Sequence, residues 1–305
     1  MPDNNVVAID SRRPLVVGGS DAAAACGLDP YRSRVMLWAE KTGRIVPEKT
    51  EAMRWGRLLE PAIVGELVER GYTFEPSPAE GWQDAERPWL VGHPDGFTEL
   101  DGWPAILEVK TAGSWAGREW REDAGAPLAY ILQCQHYMHL TGHGLALLAC
   151  LVGGQRLELR TVRRDAAAIA GMLALEAELI DHVKRDSPPP PDGSESAKDA
   201  LAALYPESDA GETVRLDRDA MLDYESLKVR RDQLAVLGAQ VAELEQRLKA
   251  RMGTAATAIS PHDEIVARWT SYKRTAIDAT ALRRALPAIA AEYETTKTLR
   301  RFTLE

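Results

Sequence analysis

Two short apolar runs stand out in the first third of the chain because turn residues lie between them. Trp89 to Val91 and Pro104 to Val109 are separated by an Asp-Gly and an Asp-Gly-Trp segment, a pattern typical of a β-hairpin. Residues two apart on a strand project from the same face, so Glu108 and Lys110 point together while the valine between them faces the other way. We therefore expect a hairpin that brings Asp95 alongside both side chains.

Helical and strand-like periodicities alternate along the chain as far as residue 185. Apolar residues recur three and four positions apart in the predicted helices, which span residues 22–26, 33–42, 51–70, 127–141 and 165–185. Ser20 is suited to cap the first of these helices, and Pro61 predicts a kink or a restart in the third. We expect residues 114–126 to be partly irregular and strands 145–152 and 156–162 to form a second hairpin. This alternation predicts an α/β domain with a mixed sheet.

The run of prolines from Pro188 to Pro191 marks the clearest break in the chain, since such a run forms a stiff, extended spacer. The predicted parts are a first domain at 1–187, a linker at 188–196 and a C-terminal module at 197–305. In that module, leucines and valines recur at spacings of three, four and seven from Met221 to Met252. This spacing is typical of a coiled coil, and an amphipathic helix packed on its own domain fits it equally well. The other predicted elements are a strand pair or extended strand at 264–277 and a last helix at 279–293.

The composition is that of an ordinary globular protein, with 45% apolar and 27% charged residues among 305. No apolar run approaches the roughly 20 residues that cross a bilayer, and the polar N-terminus lacks a signal-peptide core. We therefore expect a cytoplasmic protein with no membrane partner, whose three cysteines stay reduced. The net charge of −9 argues against a broad, nonspecific nucleic-acid surface but is compatible with a local basic groove.

The predicted face that carries Asp95, Glu108 and Lys110 has the clearest chemistry in the sequence. Two buried carboxylates beside one amine are costly, and a hard divalent cation with oxygen ligands is the simplest way to balance them. Asp95 followed by Glu108-x-Lys110 is the pattern of the PD-(D/E)XK nucleases, although short matches of this kind also arise by chance. Gln133 and Tyr137 share a face of a predicted helix, but such a pair is often only a structural hydrogen bond.

Two further candidates have structural explanations as well as functional ones. Ser20, with Arg13 nearby, would hold a phosphate at a helix start, or it would merely cap that helix. Glu60 precedes Pro61 on a predicted helix, where it would either face solvent or serve as a ligand. The sequence by itself does not decide between these alternatives.

In their order and spacing, the motifs of residues 14–185 resemble the YqaJ-type viral recombinase family, whose members are relatives of the phage lambda exonuclease and of RecB-type nuclease domains. The matching motifs are Gly18-Gly19-Ser20-Asp21, Leu28-x-Pro30-Tyr31, Trp38-x-x-Lys41-Thr42-Gly43, Trp55-Gly56-x-x-x-Glu60, Asp95-Gly96, Glu108-Val109-Lys110-Thr111, Trp115 and Gln133-x-x-x-Tyr137. The resemblance implies a PD-(D/E)XK restriction-endonuclease-like core, with helices on both sides of a mixed central sheet. A mainly helical C-terminal module, which the compact phage enzyme lacks, would follow this core.

The resemblance also implies a metal site. Asp95 and Glu108 would ligate a catalytic Mg²⁺ together with the carbonyl of Val109, and Mn²⁺ would be an alternative ion. Glu60 would support a second ion, since two metals about 4 Å apart can serve both the attacking and the leaving oxygen. Lys110 would orient or deprotonate the attacking water.

Other positions of the motifs would contact the substrate or support the catalytic residues. By resemblance, Gln133 would position the lysine or the scissile phosphate, and Tyr137 would buttress it. Ser20 and Arg13 match positions that receive a terminal 5′-phosphate, and Trp115 would pack or stack near the strand being cut.

These implications lead us to expect a metal-dependent DNA exonuclease of a bacterium or phage. It would act 5′→3′ on double-stranded ends and leave single strands for phage-type homologous recombination, with a single-strand annealing protein as its partner. Relatives form a toroidal trimer, and the C-terminal module puts that assembly in question. The alternatives are an endonuclease or a single-strand-specific nuclease on the same fold, and a non-catalytic DNA-end-binding scaffold.

Overall fold

The computed structural model describes residues 15–114, 120, 125–296 and 298–304. The candidates Arg13 and Trp115, and most of the predicted irregular segment 114–126, therefore lie outside the described residues. The helices are α1 (Ala22–Ala25), α2 (Arg34–Lys41), α3 (Glu51–Glu69), α4 (Leu128–Thr141), α5 (Ala166–Lys184), α6 (Glu195–Leu204), α7 (Arg218–Met252), α8 (Ala279–Ala285) and α9 (Pro287–Glu292), and a short 3-10 helix covers Gly19–Asp21. The strands are β1 (Glu75–Pro76), β2 (Trp82–Gln83), β3 (Val91–Gly92), β4 (Gly96–Leu100), β5 (Trp103–Ala112), β6 (Leu145–Val152), β7 (Arg156–Arg163), β8 (Thr257–Ile259) and β9 (Ile265–Arg268).

A five-stranded mixed sheet forms the centre of the fold. Its order is β1-β4-β5-β6-β7, in which β5 and β6 run parallel and the other neighbours are antiparallel. Helix α3 covers one face, where Ile63 and Leu67 pack with Leu107 and Val109 of β5. Helix α4 covers the opposite face, where its apolar side chains pack against Ile106. The predicted α/β core, with helices on both sides of a mixed sheet, is confirmed.

The first hairpin has a different partner strand from the one predicted. β5 pairs with β4, so that Gly96 lies opposite Leu107 and Leu100 lies opposite Trp103. Residues 89–91 were the wrong choice, since β3 pairs instead with β2 in a separate two-stranded sheet. The reason lies in the turn: Asp101 and Gly102 have φ values of 51° and 77°, as a type I′ turn requires. Asp95 therefore sits immediately before β4 rather than inside the hairpin loop.

Several element boundaries also differ from the pattern-based prediction. Ser20 does not cap the first helix; the side chain of Asp21 instead accepts a hydrogen bond from the backbone N–H of Gly18, at 3.1 Å. Helix α3 continues through Pro61 as one element. The predicted last helix is divided into α8 and α9, because Pro287 has no N–H with which to continue α8. The C-terminal strand pair is β8 with β9 and begins earlier than predicted, at Thr257.

The chain divides into two compact units, and the boundary along the sequence falls between Pro206 and Glu207. The predicted linker at 188–196 lies within the first unit, because α6 folds back onto α2. Ala197 and Ala200 pack with Val35, and the backbone N–H of Ser33 donates to Ser196 Oγ at 2.9 Å. The second unit contains α7, the strand pair and the two last helices. Among the described residues, no helix combines the length and the apolar character needed to cross a membrane.

Candidate active site

Strand β5 places two charged side chains on the face that α4 covers. Glu108 is buried, with 1% of its surface exposed, and its Oε1 lies 2.5 Å from Lys110 Nζ. The residue between them, Val109, packs on the opposite face with α3. The alternation of a strand thus produces the predicted pairing of Glu108 with Lys110.

Asp95 reaches the same strand from the segment that leads into β4. Its Oδ2 accepts a hydrogen bond from the backbone N–H of Val109, at 2.7 Å. This bond holds the carboxylate of Asp95 against the main chain between Glu108 and Lys110. The three residues of the Asp…Glu-x-Lys pattern are therefore brought together.

Helix α4 adds an amide and a phenol to this cluster. Gln133 Nε2 lies 2.6 Å from Glu108 Oε1 and 3.1 Å from the hydroxyl oxygen of Tyr137. The two α4 residues are four apart, so both side chains extend from one face of the helix toward the sheet. Gln133 and Tyr137 are both buried, and Gln133 contacts Glu108 directly.

Two glycines allow other segments to approach Tyr137. A Cβ atom on Gly19 would collide with the Tyr137 ring, and one on Gly92 would collide with Tyr137 and with Leu140. The Gly-Gly-Ser-Asp turn thus packs against the aromatic ring of the cluster, and the next residue, Ser20, is exposed there. This contact places the candidate phosphate-binding hydroxyl on the segment next to the cluster.

Glu60 approaches from α3. It is partly buried, and burial raises its pKa together with the nearby negative charge of Asp95, against the opposing charges of Lys110 and His93. One turn earlier on α3, a Cβ on Gly56 would lie 3.7 Å from Thr111 Oγ1, so α3 runs close to the end of β5. Glu60 therefore belongs to the same electrostatic cluster as Asp95, although it forms no hydrogen bond with the described residues.

Burial makes this cluster electrostatically unusual. Burial raises the pKa of Glu108 to about 7, since the attraction of Lys110 is offset by Asp95 and Glu60. Burial also raises the pKa of Asp95, despite the hydrogen bond from Val109 and the charge of Lys110. Burial by itself would lower the pKa of Lys110, but the adjacent Glu108 outweighs it, so the pKa of the lysine is raised. The cluster thus holds a protonated lysine beside acids whose negative charge is only partly compensated.

One carboxylate oxygen of this cluster has no hydrogen-bond partner among the described residues. This oxygen is Oε2 of Glu108, which is buried, whereas Oε1 accepts from both Lys110 and Gln133. An uncompensated buried carboxylate oxygen is costly, and a hard cation such as Mg²⁺ is a suitable partner for it. No three His, Cys, Asp or Glu side chains of the described residues form a group that would hold a metal ion. The oxygen donors that would hold such an ion are the carboxylates of Asp95 and Glu108.

A second charged cluster supports the Gly-Gly-Ser-Asp turn. Its residues belong to the sequence motifs, but their role was not evident from the sequence. Buried Asp21 binds Arg32 Nη1 at 2.7 Å and Lys41 Nζ at 2.6 Å, and Arg32 also pairs with Glu40. Burial would raise the pKa of Asp21, but the charges of Lys41 and Arg32 outweigh it and lower the pKa. The ion pairs that Asp21 forms with Arg32 and Lys41 therefore hold the turn in place. This structural role accounts for that part of the motifs.

A buried histidine links α4 to the segment before Asp95. His136 Nε2 lies 2.8 Å from the carbonyl oxygen of Val91, and Nδ1 lies 2.9 Å from Glu176 Oε1 on α5. Both acceptors favour a hydrogen on the ring nitrogen, so the imidazolium form suits this position. Burial would lower the pKa of His136, but Glu176 outweighs it and raises the pKa. A lone histidine on an apolar helix gave no signal of this role in the sequence.

Comparison with known proteins shows what this chain is similar to. Residues 10–144 match the model of the YqaJ-like viral recombinase domain. The chain is 29% identical to the uncharacterized protein YqaJ of Bacillus subtilis (strain 168), over 95% of this chain and 91% of that protein.

The solved structures that match part of this chain include two exonucleases. An alkaline exonuclease from Laribacter hongkongensis matches with 23% identity and a TM-score of 0.46, covering 57% of this chain and 94% of that one. A phage-related exonuclease from Haemophilus somnus 129PT matches with 16% identity and a TM-score of 0.43, covering 56% of this chain and 96% of that one. The match over residues 10–144 and the 29% identity show that this chain is similar to the YqaJ-like viral recombinase domain.

Proposed function

We propose that this protein is a metal-dependent DNA exonuclease that degrades double-stranded ends in the 5′→3′ direction. The observation that carries the proposal is the buried cluster of Asp95, Glu108 and Lys110, in which one carboxylate oxygen of Glu108 has no partner among the described residues. The family match and the fold shared with exonucleases support a nuclease over a purely structural protein. The intact set of acids, lysine and glutamine argues against a DNA-end-binding scaffold.

The residues that would hold Mg²⁺ are Asp95, Glu108 and the carbonyl of Val109, and Glu60 is the candidate for a second ion. Mn²⁺ suits the same oxygen donors. When bound, such ions neutralise charge on the scissile phosphate and favour ionisation of the attacking water. Asp95 is already held against the main chain by the N–H of Val109, so the cluster is preorganised for this function.

Lys110 would act as a charged donor to the substrate. Its pKa is raised by Glu108, so it carries a proton in this arrangement and would donate hydrogen bonds to the water or to a phosphate oxygen. A role in deprotonating the water would require Glu108 to be neutralised first, because that carboxylate keeps the lysine charged. Orientation of the water by Lys110 is thus the role that the contacts favour.

The remaining candidates would position these groups and recognise the DNA end. Gln133 holds Oε1 of Glu108 and is itself held by the hydroxyl of Tyr137, so the pair fixes the orientation of the carboxylate. Ser20 is exposed on the turn that packs against Tyr137, where its hydroxyl would receive a terminal 5′-phosphate together with Arg13. A single-strand annealing protein would then take over the strand that is left, as phage-type recombination requires.

Degradation of DNA of defined ends tests this proposal. Linear duplexes labelled at one end, with and without a 5′-phosphate, and a closed circle are incubated with the protein and Mg²⁺ or Mn²⁺. We expect stepwise loss from the 5′ end of the linear duplex, faster with the phosphate, and no cutting of the circle. Lys110→Ala should abolish the reaction, whereas Lys49→Ala, at an exposed position, should not.

Each other outcome selects an alternative. Rapid cutting of the closed circle would show an endonuclease, and activity confined to single strands would show a single-strand-specific nuclease. Binding of DNA ends without hydrolysis under any of these conditions would favour the scaffold. Loss from the 3′ end would keep the nuclease but reverse its polarity.

A further inference from the structure

Helix α7 carries an apolar stripe that nothing in the proposed reaction uses. The helix has 35 residues, all of them described, and none is buried. At 1.5 Å per residue it is roughly 52 Å long. A long helix with no buried residue usually packs against a partner helix, because most helical stability comes from burial of an apolar face.

The stripe has the spacing of a coiled-coil seam. Two lines of apolar residues form the stripe. Residues within each line are seven positions apart, and the second line begins three positions after a residue of the first. The first line is Leu227, Leu234, Val241 and Leu248, and the second is Leu237 and Leu244. From Leu234 to Leu248 these side chains are between 48% and 68% exposed. In heptad terms they occupy the a and d positions, which face a partner helix in a coiled coil.

Another apolar line on α7 is shorter and ends earlier. Leu222, Val229 and Val236 are also seven apart, but Glu243 occupies the next position of that line. The a/d stripe, in contrast, remains apolar as far as Leu248. A partner that covers it must therefore present a heptad repeat of its own over about the same length.

We propose that the stripe is a dimer interface, at which α7 pairs with α7 of a second copy of this chain in an antiparallel coiled coil. A second copy supplies a helix with the same repeat and the same length. In an antiparallel pair each a position faces a d position, so with the midpoint of the pair near Ala239, Leu234 of one copy lies opposite Leu244 of the other. At the centre of the pair, Leu237 of one copy faces Val241 of the other in the same way.

The charges that flank the seam select the antiparallel orientation. In that orientation the e positions face one another, so Arg231, whose guanidinium lies 5.8 Å from the centre of the Phe302 ring, comes opposite Glu245 of the second copy, twice in the dimer. Glu245 also pairs with Lys249 of its own helix, at 2.9 Å. Near the midpoint, Gly238 of one copy faces Gly238 of the other, and the absence of side chains there lets the two backbones approach each other. The two basic d positions, Arg230 and Arg251, face Leu248 and Leu227 at the ends of the seam.

A parallel pair would bring like charges together. Each d position would then face its own copy, so Arg230 would lie opposite Arg230 and Arg251 opposite Arg251. Like charges across a seam are unfavourable and favour the alternative arrangement. Glu245 would lie near Gln240 and gain no opposite charge.

The mass of the protein in solution tests the interface. Light scattering on the full-length chain at micromolar concentration should give twice the 33.5 kDa of one chain. Leu237→Lys with Leu244→Lys adds two charges to the seam and should reduce the mass to that of one chain. The matched control, Ala239→Lys with Gln246→Lys, adds two charges at outward-facing f positions and should remain a dimer. A wild-type monomer, or a trimer, would overturn the proposal.

Cysteine cross-linking tests the orientation without relying on a disruptive variant. Leu234→Cys and Leu244→Cys are prepared separately, each together with Cys26→Ser because Cys26 is partly exposed, and are oxidised alone or mixed; the native Cys134 and Cys150 are buried. The antiparallel pair predicts a cross-linked dimer only in the mixture. Cross-linking of either variant by itself at comparable yield would indicate a parallel pair and contradict the proposal, as would no cross-link in any sample.

Discussion

Gln133 and Glu108 meet so that one carboxylate oxygen receives two donors and the other receives none. Gln133 Nε2 donates to Glu108 Oε1 at 2.6 Å, and Lys110 Nζ lies 2.5 Å from the same oxygen. Oε2, equally buried, has no partner among the described residues. This asymmetry orients the carboxylate and leaves a single free oxygen, which is the arrangement that a cation ligand needs.

The first prediction concerns that free oxygen. Glu108→Gln keeps the shape of the side chain but removes its charge, so we expect Mg²⁺-dependent DNA degradation to fall by at least about 100-fold. End-labelled duplex degradation measures the effect, and circular dichroism checks that the fold is retained. Glu99→Gln, at an exposed position on the neighbouring strand, is the matched control and should degrade DNA at the wild-type rate. Full activity of Glu108→Gln would rule out the assigned site.

The second prediction concerns metal binding in the absence of DNA. A ligand that binds only the folded state stabilises it, by about 1.4 kcal/mol at ten times the dissociation constant. Thermal unfolding should therefore occur at higher temperature with Mg²⁺. The stabilisation should be smaller at pH 6 than at pH 8, because the pKa of Glu108 is about 7 and a proton competes with the ion below it.

Variants at two aspartates separate this effect from nonspecific ionic stabilisation. Asp95→Asn retains an oxygen for the N–H of Val109 but loses the charge, and we expect the stabilisation by Mg²⁺ to disappear. Asp101→Asn, in the turn of the same hairpin, should respond like the wild type. An equal response of all three proteins would mean that Mg²⁺ binds elsewhere.

The third prediction concerns the contact between Gly19 and Tyr137. In Gly19→Ala the new methyl group would collide with the aromatic ring, so the turn or α4 must shift. Overpacking of this kind costs about 1–3 kcal/mol of unfolding free energy, and displacement of Tyr137 from Gln133 should also reduce activity. Urea unfolding and DNA degradation measure both effects.

A second glycine provides the matched control for this substitution. Gly65 lies in α3, where a Cβ would meet no atom within 4 Å. Gly65→Ala should therefore increase the unfolding free energy by roughly 0.5–1 kcal/mol through helix propensity, with activity unchanged. If Gly19→Ala proved as stable and active as Gly65→Ala, the close packing of the turn on Tyr137 would be disproved.

The fourth prediction concerns the buried pair of His136 and Glu176. The pKa of His136 is raised above 6.5 in the folded state, so the pair stabilises the fold fully below pH 6.5. This contribution is lost as the pH rises through the raised pKa of the histidine. Glu176→Gln should therefore cost about 3 kcal/mol at pH 6, and the difference from wild type should narrow at higher pH.

Urea unfolding between pH 6 and pH 9 provides this comparison. Glu178→Gln, two residues further along α5 and half exposed, removes only surface pairs with Arg34 and His182 and should change the unfolding free energy by less than about 1 kcal/mol. A constant difference between wild type and Glu176→Gln over this pH range would indicate that His136 does not titrate within it.

The fifth prediction concerns the boundary of the first unit. A chain that ends at Pro206 retains α6, whose Ala197 and Ala200 cover Val35 on α2. A chain that ends at Ser187 loses that cover and exposes the α2 surface. We expect the longer fragment to unfold cooperatively and at higher temperature, as judged by circular dichroism. Equal melting temperatures would show that α6 contributes little and that the Pro-rich segment is the effective boundary.

The sequence by itself determined the local elements and the set of chemical groups. Helical periodicity located α2, α3, α4 and α5, and the alternation of β5 placed Glu108 and Lys110 on one face, because both depend on residues close in the chain. The order of motifs also indicated that Gln133 and Tyr137 accompany these acids. Each of these patterns can be recognised in a single sequence because one short segment of the chain contains it.

The tertiary structure decided what depends on segments far apart in the chain. It selected β4 rather than residues 89–91 as the partner of β5, and it folded α6 back onto α2 beyond the proline run. It also brought Gly19 against Tyr137 and buried Glu108 far enough to raise its pKa to about 7. Strand partners, close approaches and desolvation arise from packing between distant segments, and no local pattern of residues encodes them.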